Sequence, residues 1–443
     1  MSRFMPFLRT HALIGLIMMA IGFAGGWLSA KLLPVGGNVM ALLGPGMAAN
    51  EVTPSELRDD FGIFWEAWNL VENEFYQRGS VDRTKMIQGA IKGMLASLDD
   101  PYTVYQEPDL TALTNEYMRG TQEGIGIYMR FNEERAFVDR PIKNSPALKA
   151  GLAQDDEIVA VDGTPIRELI AGLDVHKANV EVASRIRGPK GSQVVLTIRR
   201  GEASPFDVAI MRDEIIISSV SGQLLDNQLA YIKITDFKSS TTEDFDTTMR
   251  ELLPANPRGI VLDLRNNPGG FLTNAQEVLG RFYDGVALYE DIRGERLEEM
   301  RTIRGGSDVT SHELPIIVLV NEGSASASEI VAGALRDERS ATFLLGEKTY
   351  GKGSVQNIHK LSDDGSARIT FAHWITPDKT EIDKIGITPQ YVVPYTEDAA
   401  STVPCVADRR PAEGQTTCAD SQLAWALRML STGETPPQAA AAK

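Results

Sequence analysis

Three short segments of this 443-residue chain carry residue types that can do covalent chemistry. In Val318-Leu319-Val320-Asn321-Glu322-Gly323-Ser324-Ala325-Ser326-Ala327-Ser328-Glu329-Ile330 an apolar run stops, small residues turn the chain, and a helical pattern begins. A nucleophile suits such a junction. Its side chain is exposed where a helix N-terminus supplies unpaired N–H groups and positive potential. The same residues also suit a structural role, since Ser326-x-x-Glu329 has capping-box spacing and any of the three serines can cap the helix.

A serine nucleophile needs a base. Beyond the apolar N-terminal stretch the histidines are His176, His312, His359 and His373, none in a recognisable triad setting. A hydrolase using His359 or His373 therefore stands as a rival reading. The other base on offer is Lys352, set between two glycines in Thr349-Tyr350-Gly351-Lys352-Gly353-Ser354-Val355-Gln356 at the start of a strand. Glycines there let the backbone bend and approach another segment closely; a solvated surface lysine is the ordinary alternative. To accept a proton at neutral pH, a lysine pKa must fall from about 10.4 towards 7, roughly 4 kcal/mol of desolvation. Only a site inside the fold supplies that.

The third segment, Gly259-Ile260-Val261-Leu262-Asp263-Leu264-Arg265-Asn266-Asn267-Pro268-Gly269-Gly270, reads as a buried strand entering a glycine loop. Paired glycines expose N–H groups that can hold a developing oxyanion alongside the N–H of Ala327, or simply form a tight turn. Asp263, inside an apolar strand, reads as half of a salt bridge or a cap rather than as a base.

The elements that must position these residues follow from periodicity. After about residue 206, apolar strands at Ala230–Ile234, Gly259–Leu264, Leu314–Val320 and Ala341–Leu345 alternate with helical stretches at 241–253, 273–283 and 328–338. That alternation predicts a largely parallel sheet flanked by helices. Between about 120 and 202 the pattern is short strands and turns: Gly124–Met129, Ala136–Val138, 156–163 and Gln193–Arg199, with helices at 145–152 and 175–187. Phe61 to Leu98 is helical, and its aromatic residues read as core. Residues 396–420 read as a polar surface loop, Gln422–Leu430 as a short amphipathic helix, and Gly433–Lys443 as a flexible tail.

Composition narrows the function classes. A net charge of −16 argues against binding a phosphate backbone, and 43% hydrophobic residues describe a globular chain. Residues 1–50 hold no Asp or Glu, and Arg3 and Arg9 precede the uncharged run Ala12–Ala30. That run is long enough to span a membrane as a helix, with the remainder outside the cytoplasm; small residues near Ala48-Ala49 also permit cleavage as a signal peptide. In an exported protein Cys405 and Cys418 can pair, or remain free thiols. No histidine–carboxylate cluster has ligand spacing, so no metal or cofactor is called for.

Taken together and in this order, Leu262–Gly270, Ser324–Ile330 and Thr349–Gly353 resemble the carboxy-terminal processing proteases, a similarity running over roughly residues 60–395. The resemblance implies Ser326 as nucleophile, Lys352 as general base and Gln356 as the residue orienting that lysine. It also implies Ala327 with one of Gly269 or Gly270 as oxyanion donors, and leaves Ser328 as a rival nucleophile. Gln356 lies four residues past Lys352, about 13 Å along a flat strand, so its role requires a curled path. Residues 120–202 resemble a PDZ domain, with Gly124-Ile125-Gly126-Ile127 binding a peptide's terminal carboxylate and its strand edge accepting an extended tail.

The expected fold is α/β multidomain: a helical N-terminal region, a β-rich PDZ domain and an α/β catalytic core of mostly parallel sheet. The expected segments are 1–33, signal anchor or signal peptide; 34–119, linker and helical region; and 120–205, PDZ domain. Residues 206–395 form the peptidase domain and 396–443 the C-terminal loop, helix and tail. The expected function is a Ser-Lys serine endopeptidase, exported and tethered to the inner membrane, that cleaves proteins near unfolded C-terminal tails. Its partners are protein or peptide substrates and the membrane, with no nucleic acid and a homo-oligomer left open. A catalytically silent PDZ scaffold or chaperone is the alternative. Because the two dyad residues sit on separate segments joined by turns, a resting form can hold Lys352 away from Ser326.

Overall fold

The computed structural model describes residues 57, 59–132, 135–173, 175–305, 314–406, 409, 411 and 415–437. The expected N-terminal anchor, the linker to residue 50 and His312 lie outside these residues. Among the described residues no helix is long and apolar enough to cross a membrane. The chain divides near Arg83 into two compact units.

In the N-terminal unit, helix Gly62–Glu74 has the expected period but no buried residue. Its aromatic face is therefore not the core that the spacing suggested. Trp65 is 53% exposed, and Phe61, Phe64, Trp65 and Trp68 pack among themselves, edge-on except for the tilted Phe64–Trp68 pair. Periodicity fixes which residues share a face, not what covers that face.

The second unit is built on a six-stranded sheet. Its order is Val220–Leu225, Leu229–Ile234, Gly259–Asp263, Ile316–Val320, Thr342–Gly346, Tyr391–Val392. The first pairing is antiparallel and the rest parallel. Successive side chains of a strand point to opposite faces, and both faces here are covered. Ile232, Leu262, Val318 and Leu344 meet Phe245, Val278 and Ile330 from helices Thr241–Leu252, Leu272–Leu279 and Ala327–Glu338. Tyr231, Val261, Ile317 and Leu345 meet Leu423 and Ala426 of helix Ser421–Thr432. Double coverage explains why these strands read as continuous apolar runs.

The segment 396–420 is more than a surface loop. Strands Thr402–Val403 and Cys418–Ala419 pair, Cys405 and Cys418 form a disulfide, and Val403, Val406 and Cys418 are buried in the second core. A separate antiparallel sheet contains Ser354–Lys360, Ser366–Ile375, Val286–Ile292, Arg296–Arg301 and Val104–Gln106.

The β-rich module has its own core around Val138, Ile158, Val182, Leu196 and Ile210. Its sheet runs Ile127–Asn132, Arg135–Pro141, Glu157–Val161, Gln193–Arg199, Phe206–Met211, with helix Val175–Ile186 against it. The strand expected over Gly124–Met129 is two strands, Thr121–Gly124 and Ile127–Asn132, parted at Ile125-Gly126, where Gly126 has φ +76°. The first of these pairs with Asp213–Ile216, so the module leaves and rejoins the core through a two-stranded ribbon. The α/β multidomain class expected from the sequence is the class observed.

Candidate active site

The buried strand Ile316–Val320 ends at Asn321, and helix Ala327–Glu338 starts one residue after Ser326. Ser324 and Ser328 are fully buried, their hydroxyls donated to Leu264 O (2.8 Å) and to Asn267 O and Ala325 O (both 2.8 Å). Ser326 alone of the three keeps surface, while Ser324 and Ser328 have theirs enclosed. Ser326 holds φ 55°, ψ −118°, a region that costs an L-residue about 1–3 kcal/mol and persists only where its surroundings impose it.

Glu329 imposes much of it. The carboxylate is fully buried and accepts four hydrogen bonds. Oε2 takes Ser326 N–H (2.8 Å) and Lys352 N–H (2.9 Å), while Oε1 takes Gly351 N–H (2.8 Å) and the Thr349 hydroxyl (2.5 Å). Burial pushes its pKa above the ordinary carboxylate range, against the pull of those four donors. The capping box is thus present, but the cap also ties the serine turn to the lysine turn. Sequence reasoning saw the first function and missed the second.

The glycine loop is fastened to the same turn by Asn267. Its Nδ2 donates to Ile234 O (2.9 Å), its Oδ1 accepts Gly269 N–H (2.8 Å), and its carbonyl accepts Ala325 N–H (2.9 Å). A Cβ on Gly269 (φ +95°) would stand 2.7 Å from Ser326 Cβ and 2.9 Å from Ala327 N. One on Gly270 (φ +146°) would overlap Phe237 O. Gly269 spends its N–H inside the loop. Among the described residues nothing takes the N–H of Gly270 or of Ala327. The Asx-turn at Asn267 is the signal that would have found this residue.

Asp263 is structural, as its setting suggested. Burial alone would raise its pKa, but Arg265 holds it below the usual range. The Arg265 guanidinium donates to both its oxygens (2.9 and 2.6 Å), the Arg265 N–H donates at 3.0 Å, and Tyr231 OH adds a fourth bond (2.7 Å).

Lys352 precedes strand Ser354–Lys360 and is half-buried, not a solvated surface lysine. Its flanking glycines serve close approach. A Cβ on Gly351 would stand 2.7 Å from Gly386 N, and one on Gly353 2.5 Å from Asp383 N. Burial pushes the Lys352 pKa below the ordinary lysine value, helped by the Arg368 cation and opposed by Asp100 and Glu329. Nζ lies 4.9 Å from the centroid of the Tyr102 ring. Among the described residues no hydrogen bond joins it to Ser326 Oγ or to Gln356.

Gln356 faces elsewhere. A register shift between Val355 and Gln356 bends the strand, and the amide nitrogen donates to Ser354 Oγ (2.9 Å) and Thr370 Oγ1 (3.1 Å). His359 and His373 are exposed, the latter 3.7 Å from Asp383, and neither hydrogen-bonds Ser326 among the described residues.

Gly124, Ile125, Gly126 and Ile127 line a cavity of about 260 Å³ together with Arg187 and Ile215. It opens beside Ile127–Asn132, the edge strand of its sheet. Ile125 is itself buried, its carbonyl accepting Ala147 N–H (2.9 Å).

Residues 228–393 match peptidase family S41, residues 137–200 a PDZ domain, and residues 19–109 the activating protease CtpB N-terminal domain. The chain is 34% identical over 331 residues to carboxy-terminal processing protease CtpA of Bacillus subtilis (strain 168), covering 73% of this chain and 67% of that one. It is 38% identical over 317 residues to the carboxy-terminal-processing protease of Bartonella bacilliformis, covering 70% of each. Among solved structures, the photosystem II D1 C-terminal processing protease is 28% identical, covering 77% of this chain and 94% of that one, at a TM-score of 0.43.

Proposed function

From the premise that this chain belongs to the carboxy-terminal processing proteases of peptidase family S41, we propose that its serine peptidase chemistry runs on a Ser326–Lys352 dyad. The observation that carries the reading is the Glu329 carboxylate, which accepts the backbone N–H of both residues. One side chain thereby fixes the serine turn and the lysine turn together. Ser326 Oγ attacks the scissile carbonyl carbon while neutral Lys352 Nζ takes the hydroxyl proton. The carbonyl oxygen becomes an oxyanion, held by the N–H groups of Ala327 and Gly270, since Gly269 spends its own on Asn267. Collapse breaks the C–N bond, and Lys352 returns the proton to the leaving amine. A water then repeats the sequence on the acyl-enzyme. Gln356 reaches Lys352 only after giving up Ser354 and Thr370, so a working form rearranges this strand.

The substrate reading is an unfolded C-terminal tail, added as a strand to the Ile127–Asn132 edge with its carboxylate at Gly124–Ile127. Export is supported by the apolar run 12–30 behind Arg3 and Arg9 and by the Cys405–Cys418 pairing, which persists in an oxidising compartment. The test uses an unstructured protein substrate and mass spectrometry of the products. Ser326→Ala and Lys352→Ala are each expected to abolish cleavage while leaving the fold and tail binding intact. Cleavage by either variant removes the dyad; cleavage lost on His373→Ala instead restores the histidine reading.

A further inference from the structure

Tyr102 sits in the tight turn Asp99–Thr103, whose conformation is fixed by Asp100. The Asp100 carboxylate accepts Tyr102 N–H (3.1 Å) and the Thr103 hydroxyl (2.6 Å). At the far end of the ring, Tyr102 OH meets Tyr350 OH (3.5 Å), two residues before Lys352. A ring held at both ends presents its face to Lys352 Nζ at 4.9 Å, within the roughly 6 Å over which an aromatic quadrupole attracts a cation. We propose that Tyr102 is a positioning residue for Lys352: its ring is the resting seat of the Lys352 ammonium, which the amine leaves, uncharged, to serve Ser326. The inference rests on Lys352 being the general base.

The same turn also reaches Gln356. Thr370 N–H donates to Thr103 Oγ1 (3.0 Å), and Thr370 Oγ1 accepts from Gln356 Nε2 (3.1 Å). One turn therefore engages both the lysine and the amide assigned to orient it. The other charges facing Lys352 are Arg368, on strand Ser366–Ile375, and the carboxylates of Asp100 and Glu329. Beyond them lies Asp383, which accepts Gly353 N–H (3.2 Å) and pairs with His373 at 3.7 Å. Arg368 disfavours the ammonium and the carboxylates favour it. The ring adds two opposed effects: its bulk excludes water, and its face attracts the cation.

Substitution separates the two. Tyr102→Leu keeps apolar bulk and removes the quadrupole, whereas Tyr102→Phe keeps both. The measurement is the pH dependence of kcat/KM on an unstructured peptide, whose acidic limb reports the free enzyme's base. Tyr102→Leu is expected to move that limb to lower pH by about 0.5–1 unit, raising kcat/KM several-fold below it. Tyr102→Phe should leave the limb where the parent has it. A second readout needs no turnover: titration of the Lys352 Cε resonance in 13C-lysine-labelled Ser326→Ala protein, with and without Tyr102→Leu, should show the same shift. A limb and titration unmoved by Tyr102→Leu, or moved to higher pH, overturn the seat. If Lys352→Ala is inactive while Tyr102→Leu moves nothing, only this inference fails. If Lys352→Ala still cleaves, it falls together with the dyad.

Discussion

Lys352 is half-buried beside another cation, and the molecule pays for keeping it there. Because its folded pKa lies below its unfolded value, the unfolded chain binds more protons between the two, so stability rises with pH across that window. At neutral pH, below the window's upper edge, the buried charge is a net burden. Lys352→Met, similar in length and uncharged, should abolish proteolysis yet raise the melting temperature at pH 7 by a degree or more, since about 1 kcal/mol shifts a domain of this size by a few degrees. The gain should shrink as the pH approaches 10. Thermal melts at pH 7 and pH 10 check it, and a lower melting temperature at pH 7 contradicts it. At this scale the sequence was legible where a residue type is unusual for its setting: a serine among alanines before a helix, a lysine between glycines, paired glycines after an apolar strand. It was illegible where a side chain acts on distant main-chain groups. Glu329 reaches the N–H groups of Gly351 and Lys352, and Asn267 the carbonyl of Ile234, each more than 20 residues away, and main-chain groups carry no mark in the sequence.

Within the second unit, elements were readable to the degree that one face, or both, is covered by its neighbours. The central strands appeared as unbroken apolar runs because helices cover both faces of the sheet. The single strand expected over Gly124–Met129 breaks at Ile125-Gly126, where a left-handed glycine interrupts the period within two residues. The 396–420 segment reads as polar loop because its buried residues are few and scattered, and the hairpin depends on a covalent link as well as on packing. Cys405 and Cys418 are 13 residues apart, and closing a loop of that size is worth about 3 kcal/mol through the unfolded chain's entropy. Replacing both by serine should cost about 2–3 kcal/mol in urea denaturation. Turnover of the folded variant should stay near that of the parent, because this hairpin packs on the face of the sheet opposite the Ser326 helix. A double variant as stable as the parent would show that loop closure contributes nothing here.

Across the whole molecule, the C-terminal helix is stapled to the strand that feeds the glycine loop. Arg265 stands at the end of that strand, bound to Asp263 on one side, and donates to Asp420 Oδ1 (3.1 Å) and Gln422 Oε1 (3.0 Å) on the other. Asp420 is fully buried; it also caps its own helix through Leu423 N–H (2.9 Å) and accepts Arg409 (3.0 Å). The partners are 155 residues apart, which is why the terminal helix was visible in the sequence as an amphipathic element but not as a fastening. Removing one member of a buried charge network leaves the others desolvated without compensation, at a cost of about 3–5 kcal/mol. Asp420→Ala should therefore destabilise far more than an exposed acid such as Asp364→Ala, whose ion pair with Lys360 is solvated. Unpinning Arg265 also frees the residues just before Asn267, so the variant's remaining folded fraction should lose kcat; if tail peptides dock in the β-rich module as proposed, their KM should change little. Urea denaturation combined with steady-state kinetics under fully folded conditions separates the two effects. A stability loss with kcat unchanged would show that the staple holds the helix but not the glycine loop.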